Sequence, residues 1–334
     1  MTADVRRLLV RAPNWLGDAV LSLPALRDLR RNFPAARLEV LARSRVAGLY
    51  EAVEEVDGVR TSADFRGDVA AARGGFDAAV LFPNSFGSAL AVRAAGIAER
   101  WGYATDGRAW LLTRHAPVPR VVRGRSQVYY YRAMLGAIGL RVTATPDASL
   151  RCPAAWRERG AAVLGDEGSA EPWIGLSPGA FFGAAKRWLP ERYAAAAELV
   201  ARRLGARVAI LGAAAERAIG EAIAAAMRGP VRVLCGGTGF PELLGVLSRL
   251  RVLLSNDSGP MHLAAALGVP VVAVFGPTDW RETAPVGPGA WRLVREPVHC
   301  SPCLLRECPI DHRCMRRVTA ARVAEEAQAL LGIA

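Results

Sequence analysis

Lysine is nearly absent from this chain. Lys186 is the single one among 43 lysines and arginines in 334 residues, so every other cation is arginine. In so arginine-biased a chain, a retained lysine suggests a position that needs a compact ammonium rather than a planar fork. The plainer alternative is a chance survivor in a solvent-facing loop. Long apolar runs are missing too. The longest, Leu263–Phe275, is broken by Gly268 and Pro270 and is too short to cross a bilayer. Leu8–Val10 is followed at once by Arg11 and Pro13, so the N-terminus does not read as a signal peptide. These absences predict a cytoplasmic protein. No Gly-x-Gly-x-x-Gly follows an expected strand; the nearest, Gly236-Gly237-Thr238-Gly239, has Glu242 where the last glycine belongs. A P-loop is absent as well. Without an Asp-x-Asp pair, nothing advertises a metal-bridged diphosphate.

What is present is positive charge. The formal net charge is +12 and the sequence pI is about 10.3, which suits polyanionic partners: nucleic acid, an anionic membrane or phosphorylated substrates. The excess is uneven. Residues 93–132 hold Arg93, Arg100, Arg108, Arg114, Arg120, Arg123, Arg125 and Arg132 against Glu99 and Asp106. That stretch reads either as an anion-binding face or as a solvated arginine-rich surface.

Apolar runs of strand length alternate with helical patterns, which predicts βαβ units and mostly parallel sheets. Strands are expected at Leu8–Val10, Arg37–Ala42 and Asp77–Phe82, then at Trp173–Leu176, Arg207–Leu211, Val231–Leu234, Val252–Leu254 and Val271–Phe275. Helical spacing runs over Ala19–Leu29, Ser126–Leu140 and Thr319–Leu331. At this length two domains are the default, and the polar stretch Gly165–Pro172 reads as their linker. The expected domains are residues 1–168 and 169–334, two α/β units facing each other across a cleft.

Two loops in the second half carry chemistry. Ser177–Trp188 follows a strand, bears Gly179 and Gly183, and holds Lys186. Such a loop at the carboxyl end of a strand is where open α/β sheets bind ligands. Ser255–His262 joins another strand to the helix expected at Leu263–Leu267. Gly259 there permits close backbone approach, and a helix start offers N–H groups to an anion. Together they suggest a grip on a diphosphate; a capped helix without ligand is the alternative for the second loop. Glu216, just after Arg207–Leu211, could hold a ribose hydroxyl. Asp18 follows the first strand and turn, and a carboxylate there could act as a general base. Spacing alone favours a helix N-cap for it.

Cysteine divides cleanly. Cys152 and Cys235 are isolated and read as buried, whereas Cys300, Cys303, Cys308 and Cys314 form a C-x2-C-x4-C-x5-C cluster flanked by His299 and His312. Four soft ligands within fifteen residues predict a structural zinc. An iron–sulfur cluster fits that spacing less well, and packed reduced thiols are the other option.

Five segments together resemble the lipopolysaccharide heptosyltransferases: Asn14–Asp18, Leu81–Leu90, Pro178–Trp188, Asn256–His262 and Phe275–Thr278. The Pro83-Asn84-Ser85-Phe86 segment is similar to the second of these enzymes rather than the first. The resemblance implies a GT-B glycosyltransferase that transfers heptose, with inversion, from ADP-L-glycero-β-D-manno-heptose to a heptosylated Kdo–lipid A core. It implies an acceptor-side N-terminal domain and a C-terminal domain that binds the nucleotide sugar. Asp18 matches the family's catalytic aspartate, which raises the general-base reading above the cap. Lys186 matches the lysine that neutralises the departing diphosphate, while Asp257, Ser258, Gly259 and His262 match the phosphate-side loop. Gly179 and Glu216 complete the expected donor set. Asn84, Ser85, Arg120, Arg123 and Arg125 are the expected acceptor contacts. No cofactor is expected for catalysis, and the enzyme would work at the inner face of the inner membrane. Phe181 and Phe182, where relatives carry small hydroxyl residues, and the cysteine cluster depart from that pattern. They leave open a related GT-B transferase of surface polysaccharide assembly with another nucleotide sugar. A nucleic-acid binder with a zinc module is the rival class, but no RNA- or DNA-binding motif supports it.

Overall fold

A computed structural model describes residues 5–165 and 171–333. The chain divides into two compact units, Met1–Ala148 and Ser149–Ala334. In the first, strands β1 (Arg7–Arg11), β2 (Arg37–Arg43), β3 (Gly58–Ser62), β4 (Ala78–Leu81), β5 (Glu99–Tyr103) and β6 (Arg114–Ala116) form one sheet of order β3-β2-β1-β4-β5-β6. In the second, β7 (Trp173–Ser177), β8 (Arg207–Ile210), β9 (Val231–Val233), β10 (Leu250–Asn256), β11 (Val271–Phe275) and β12 (Trp291–Arg295) form another, of order β12-β11-β10-β7-β8-β9. Every pairing in both is parallel. The central strands are continuous apolar runs because both their faces are covered: Leu8, Leu9 and Val10 in β1, and Val271–Phe275 in β11, are all buried.

The expected α/β alternation is present, with four strands that the sequence reading missed. Strand β3 is a short edge strand, β6 is three residues long, and β12, Trp-Arg-Leu-Val-Arg at an edge, is interrupted by two arginines. Strand β5, Glu-Arg-Trp-Gly-Tyr, reads as polar. Its charges are served locally: Trp101 Nε1 and Thr113 Oγ1 donate to Glu99, and Arg100 donates to the carbonyls of Ile97, Ala98 and Leu111. The single helix expected over Ala19–Leu29 is two, Leu16–Leu21 and Leu23–Asn32. Pro24 sits in the first turn of the second, where its missing N–H costs nothing, and the break falls at Ser22.

The boundary falls earlier than the expected 168/169. The helix Ala154–Leu164 belongs to the second unit, packed on the helix Phe240–Leu247. The two approach so closely that a Cβ on Gly160 would strike the backbone of Gly245, and one on Gly245 would strike the Trp156 carbonyl. Already at Leu150 the backbone N–H donates to the Ala266 carbonyl at 2.7 Å. Hydrophobic contact across helices, rather than the polar stretch that followed, sets the division. Residues 166–170 of the expected linker lie outside the described residues. Among the described residues no helix is long and apolar enough to cross a membrane.

Candidate active-site residues

Both sheets reverse their winding order once, between β1 and β4 in the first unit and between β7 and β10 in the second. Open α/β sheets bind ligands outside the carboxyl ends of the strands at such points. Asp18, Asn84 and Ser85 follow the two switch strands of the first unit, and Gly179, Lys186, Asp257, Ser258, Gly259 and His262 follow those of the second.

In the first unit, the turns after β1 and β4 wall a cavity of about 490 Å³, lined by Asn14, Trp15, Asp18, Asn84, Ser85 and Tyr130 among others. Asp18 is not an N-cap. It is the third residue of the helix Leu16–Leu21, whose N-cap is Trp15. A half-buried carboxylate in that first turn gains from the positive end of the helix and faces the cavity. Asn14 is held by the buried Arg11, whose guanidinium donates to its side-chain oxygen at 2.9 Å. On the opposite wall Asn84 Nδ2 donates to the Tyr130 hydroxyl at 2.7 Å, and Ser85 caps the helix Phe86–Ala94.

The arginine-rich stretch 93–132 is not one solvated face. Arg108 is fully buried, and it donates to the carbonyls of Tyr103, Pro83 and Ser85 and to the Ser88 hydroxyl. It therefore shapes the Pro83–Ser88 loop from beneath. Burial, uncompensated by a paired carboxylate among the described ion pairs, pulls its pKa down to about 10. Gly102 leaves the room for this guanidinium, since a Cβ there would lie 3.2 Å from Arg108 Nη2. Arg132 is buried against Asp28 at 2.8 Å. Arg120, Arg123 and Arg125 stay exposed, with no carboxylate partner among the described residues. They lie in the loop that leads into the helix Gln127–Ala137, whose first residues line the cavity.

In the second unit Lys186 is far from a stray surface cation. Its Nζ lies 2.7 Å from Asp257 Oδ2, with the two side chains 12% and 5% exposed. The same oxygen accepts from Thr278 Oγ1 at 2.7 Å and from Thr283 Oγ1 at 3.2 Å. So the loops after β7, β10 and β11 meet at one ion pair. Asn256 ties two of them together. Its Nδ2 donates to the Pro178 carbonyl, and its Oδ1 accepts from the Trp188 N–H and the Tyr193 hydroxyl. The Glu216 carboxylate, fixed by the Ala213 N–H at 2.8 Å, lies against Gly179 so closely that any Cβ there would collide with it. Gly179 and Glu216 are thus one feature. Ser258 is the N-cap of the helix Gly259–Ala266 but caps nothing with its side chain. Its hydroxyl sits instead 3.0 Å from Ser255 and 3.4 Å from Ser177. No side chain caps that helix start, and Pro260 in its first turn has no N–H to satisfy.

His262 is buried in this helix, and burial pulls its pKa down to about 4; Asp257 opposes the shift and Lys186 adds a smaller push in the same direction as burial. It is therefore neutral near pH 7, and its Nδ1 has no partner among the described residues. Between pH 6.5 and about 4 the unfolded chain takes up a proton here that the folded chain refuses. Stability is expected to fall across that window as pH drops, by up to about 3 kcal/mol from this group. Urea midpoints of the wild type and His262→Gln at pH 7 and pH 4.5 check this. Identical pH slopes in both proteins would show that His262 plays no part.

The cysteine expectation fares differently. Cys300, Cys303, Cys308 and Cys314 are free thiols, Cys303 exposed and Cys314 buried. Among the described residues no group of three or more His, Cys, Asp or Glu side chains is arranged to hold a metal ion. Burial and the neighbouring cysteines push the Cys314 thiol up to about 11.

Sequence reasoning left Arg108, Tyr130, Thr278, Thr283 and the structural role of Asn256 unassigned. Thr278 and Asn256 lay within noticed motifs, whereas Arg108 carried no signal beyond its position in a basic stretch.

The sequence profile described as glycosyltransferase family 9 (heptosyltransferase) matches residues 70–313. Lipopolysaccharide heptosyltransferase 2 of Escherichia coli strain K12 is 29% identical over 97% of this chain and 98% of its own. Lipooligosaccharide heptosyltransferase 2 of Haemophilus influenzae is 28% identical over 84% and 86%. Among solved structures, E. coli ADP-heptose lps heptosyltransferase II superposes with a TM-score of 0.83 at 28% identity, covering 97% of this chain and 98% of the other. A family 9 glycosyltransferase from Veillonella parvula gives 0.87 at 20% identity, covering 100% and 99%, which speaks to fold alone. The fold is GT-B with two Rossmann-like units, and the chain belongs to glycosyltransferase family 9, the heptosyltransferases.

Proposed function

We propose that this enzyme moves heptose, with inversion, from ADP-L-glycero-β-D-manno-heptose to the heptosylated Kdo–lipid A inner core of lipopolysaccharide. The observation that carries the reading is the Lys186–Asp257 pair, set beside an uncapped helix start at the switch point of the second sheet. Asp18 takes the proton of the acceptor hydroxyl, and that oxygen attacks the anomeric carbon as the bond to the diphosphate breaks. The charge developing on ADP meets the Lys186 ammonium and the first-turn N–H groups of Gly259 and Met261 at the start of the helix Gly259–Ala266. Ser258 and neutral His262 line this anion site, and Glu216, braced against Gly179, accepts from the ribose hydroxyls. With an ammonium as counter-charge, transfer needs no cofactor.

On the acceptor side, Asn84 and Ser85 contact the sugar. Arg120, Arg123 and Arg125 face the phosphorylated, lipid-borne core at the inner face of the inner membrane. Reversing these three charges to glutamate is expected to raise acceptor KM about tenfold or more while donor KM holds, since exposed charges act through screened attraction to anions. An unchanged acceptor KM would remove the three arginines from the site.

The deciding experiment is ADP release from ADP-heptose with and without heptosylated Kdo–lipid A. Acceptor-dependent release is expected. If a verified acceptor gives none, the heptose assignment falls. A panel of other nucleotide sugars then tests the related-transferase reading, which the bulky Phe181 and Phe182 in the donor loop make the natural second choice.

A further inference from the structure

The segment between Ser301 and His312 bonds to the backbone on both sides of the Lys186–Asp257 pair: at Ala185, next to the lysine, and at Gly276 and Pro277, next to the threonine that serves the aspartate. On the lysine side it grips the neighbouring peptide from two directions. The Ala185 N–H donates to the Arg306 carbonyl at 2.9 Å, and the Ala185 carbonyl lies 2.8 Å from His312 Nε2. A carbonyl can only accept, so the proton of His312 is on Nε2. Gly183, two residues earlier, has to be glycine, because a Cβ would collide with the Arg306 carbonyl. The Phe182 ring is shared by both partners, with Lys186 Nζ 5.6 Å and the Arg306 guanidinium 5.5 Å from its centre.

On the aspartate side the same segment holds the loop after β11. Ser301 Oγ donates to the Gly276 carbonyl at 2.5 Å, and the N–H groups of Cys303 and Leu304 donate to the Pro277 carbonyl at 3.0 and 2.8 Å. Thr278, which follows directly, donates to the Asp257 oxygen that Lys186 contacts. Two non-glycine residues of the segment, Leu304 and His312, stand at φ 57° and 56°. Left-handed backbone of this kind persists only where surrounding contacts over-determine it. It is here that the segment makes its bonds.

We infer that residues 301–312 form a strap whose hydrogen bonds to Ala185 and Pro277 set the separation of Lys186 from Asp257, with His312 as a positioning residue for the donor diphosphate. The inference rests on the proposed donor reading. When a diphosphate arrives, Lys186 exchanges one anionic partner for another, and this works only if the ammonium is already held at the right place. A strap bonded to the backbone on both sides supplies that placement without contacting the donor. Cys314, two residues beyond the strap, is buried beneath Gly276, where a Cβ would lie 3.1 Å from its sulfur.

The test is calorimetric titration of the full chain with ADP, alongside donor KM and kcat, for the wild type, His312→Ala and His312→Gln. Loss of one neutral hydrogen bond in His312→Ala is expected to weaken ADP binding and raise donor KM about three- to tenfold, with acceptor KM unchanged. His312→Gln, whose amide reaches the same carbonyl, is expected to recover most of the loss. Equal ADP affinity in wild type and His312→Ala would overturn the strap. So would a loss in both variants that tracks a fall in Tm with acceptor and donor KM moving together, because that is a general fold defect. A wild type that binds no ADP would instead sink the donor reading, and the strap's role with it.

Discussion

Asp18→Asn is expected to lower kcat by about 10²–10⁴, the range that a positioned general base contributes, while ADP affinity stays at the wild-type value. The substitution keeps the size and shape of the side chain and removes its charge, and with it the ability to take a proton. Fold should not confuse the result. Asp18 is the third residue of the helix Leu16–Leu21 and does not cap it, so no cap is lost. The loss of a negative charge in the first turn costs only about 0.3–1 kcal/mol. Single-turnover transfer and ADP titration on the same preparations separate chemistry from binding. If kcat falls less than about threefold, Asp18 is not the base. If ADP affinity falls together with kcat, Asp18 acts on the donor rather than on the acceptor hydroxyl.

The candidate sites were legible where a motif fell at the end of a central strand. Such strands are buried on both faces, so they stand out as apolar runs, and the residues after them are marked by glycine and small polar side chains. Asp18 after β1, Lys186 after β7 and the Asp257–His262 loop after β10 were all visible in this way. Strands β3, β5, β6 and β12 were not, because each meets solvent or short-range polar partners that cancel the apolar signal. Glu99 and Arg100 in β5 are satisfied by the Trp101 side chain and by carbonyls of Ile97, Ala98 and Leu111, pairings that no apolar pattern announces.

The arginine-rich stretch shows the same limit. Eight cations looked alike in sequence, yet the fold buries Arg108 and Arg132, leans Arg93 and Arg114 on tryptophan rings, and leaves Arg120, Arg123 and Arg125 in an exposed loop. Burial separates the structural arginines from the available ones, and burial is a property of tertiary packing. The cysteines show it too: their spacing matches a ligand pattern, yet the fold buries Cys314 and exposes Cys303, a difference that spacing does not carry.

Lys186→Met is expected to lower kcat/KM for the donor about 10²–10³-fold, as for the loss of one preorganised group that stabilises leaving-group charge. It should also destabilise the second unit, because Asp257 is left as a buried carboxylate without its cation. Breaking such a pair costs about 3–5 kcal/mol. The low end applies here, since Thr278 and Thr283 still donate to Oδ2. The two losses can be told apart with Lys186→Met/Asp257→Asn. Removing the stranded charge should restore most of the stability, read as the urea midpoint, and should restore none of the activity. If activity returns with stability, Lys186 matters only as a counter-ion to Asp257. Lys186→Arg completes the comparison. It keeps the charge and most of the stability, but its fork is too broad to reproduce a contact in which one ammonium meets Oδ2 at 2.7 Å beside the Phe182 ring. Activity between that of the wild type and Lys186→Met is therefore expected. Full activity in Lys186→Arg would mean that the one lysine in an arginine-rich chain is there by chance after all.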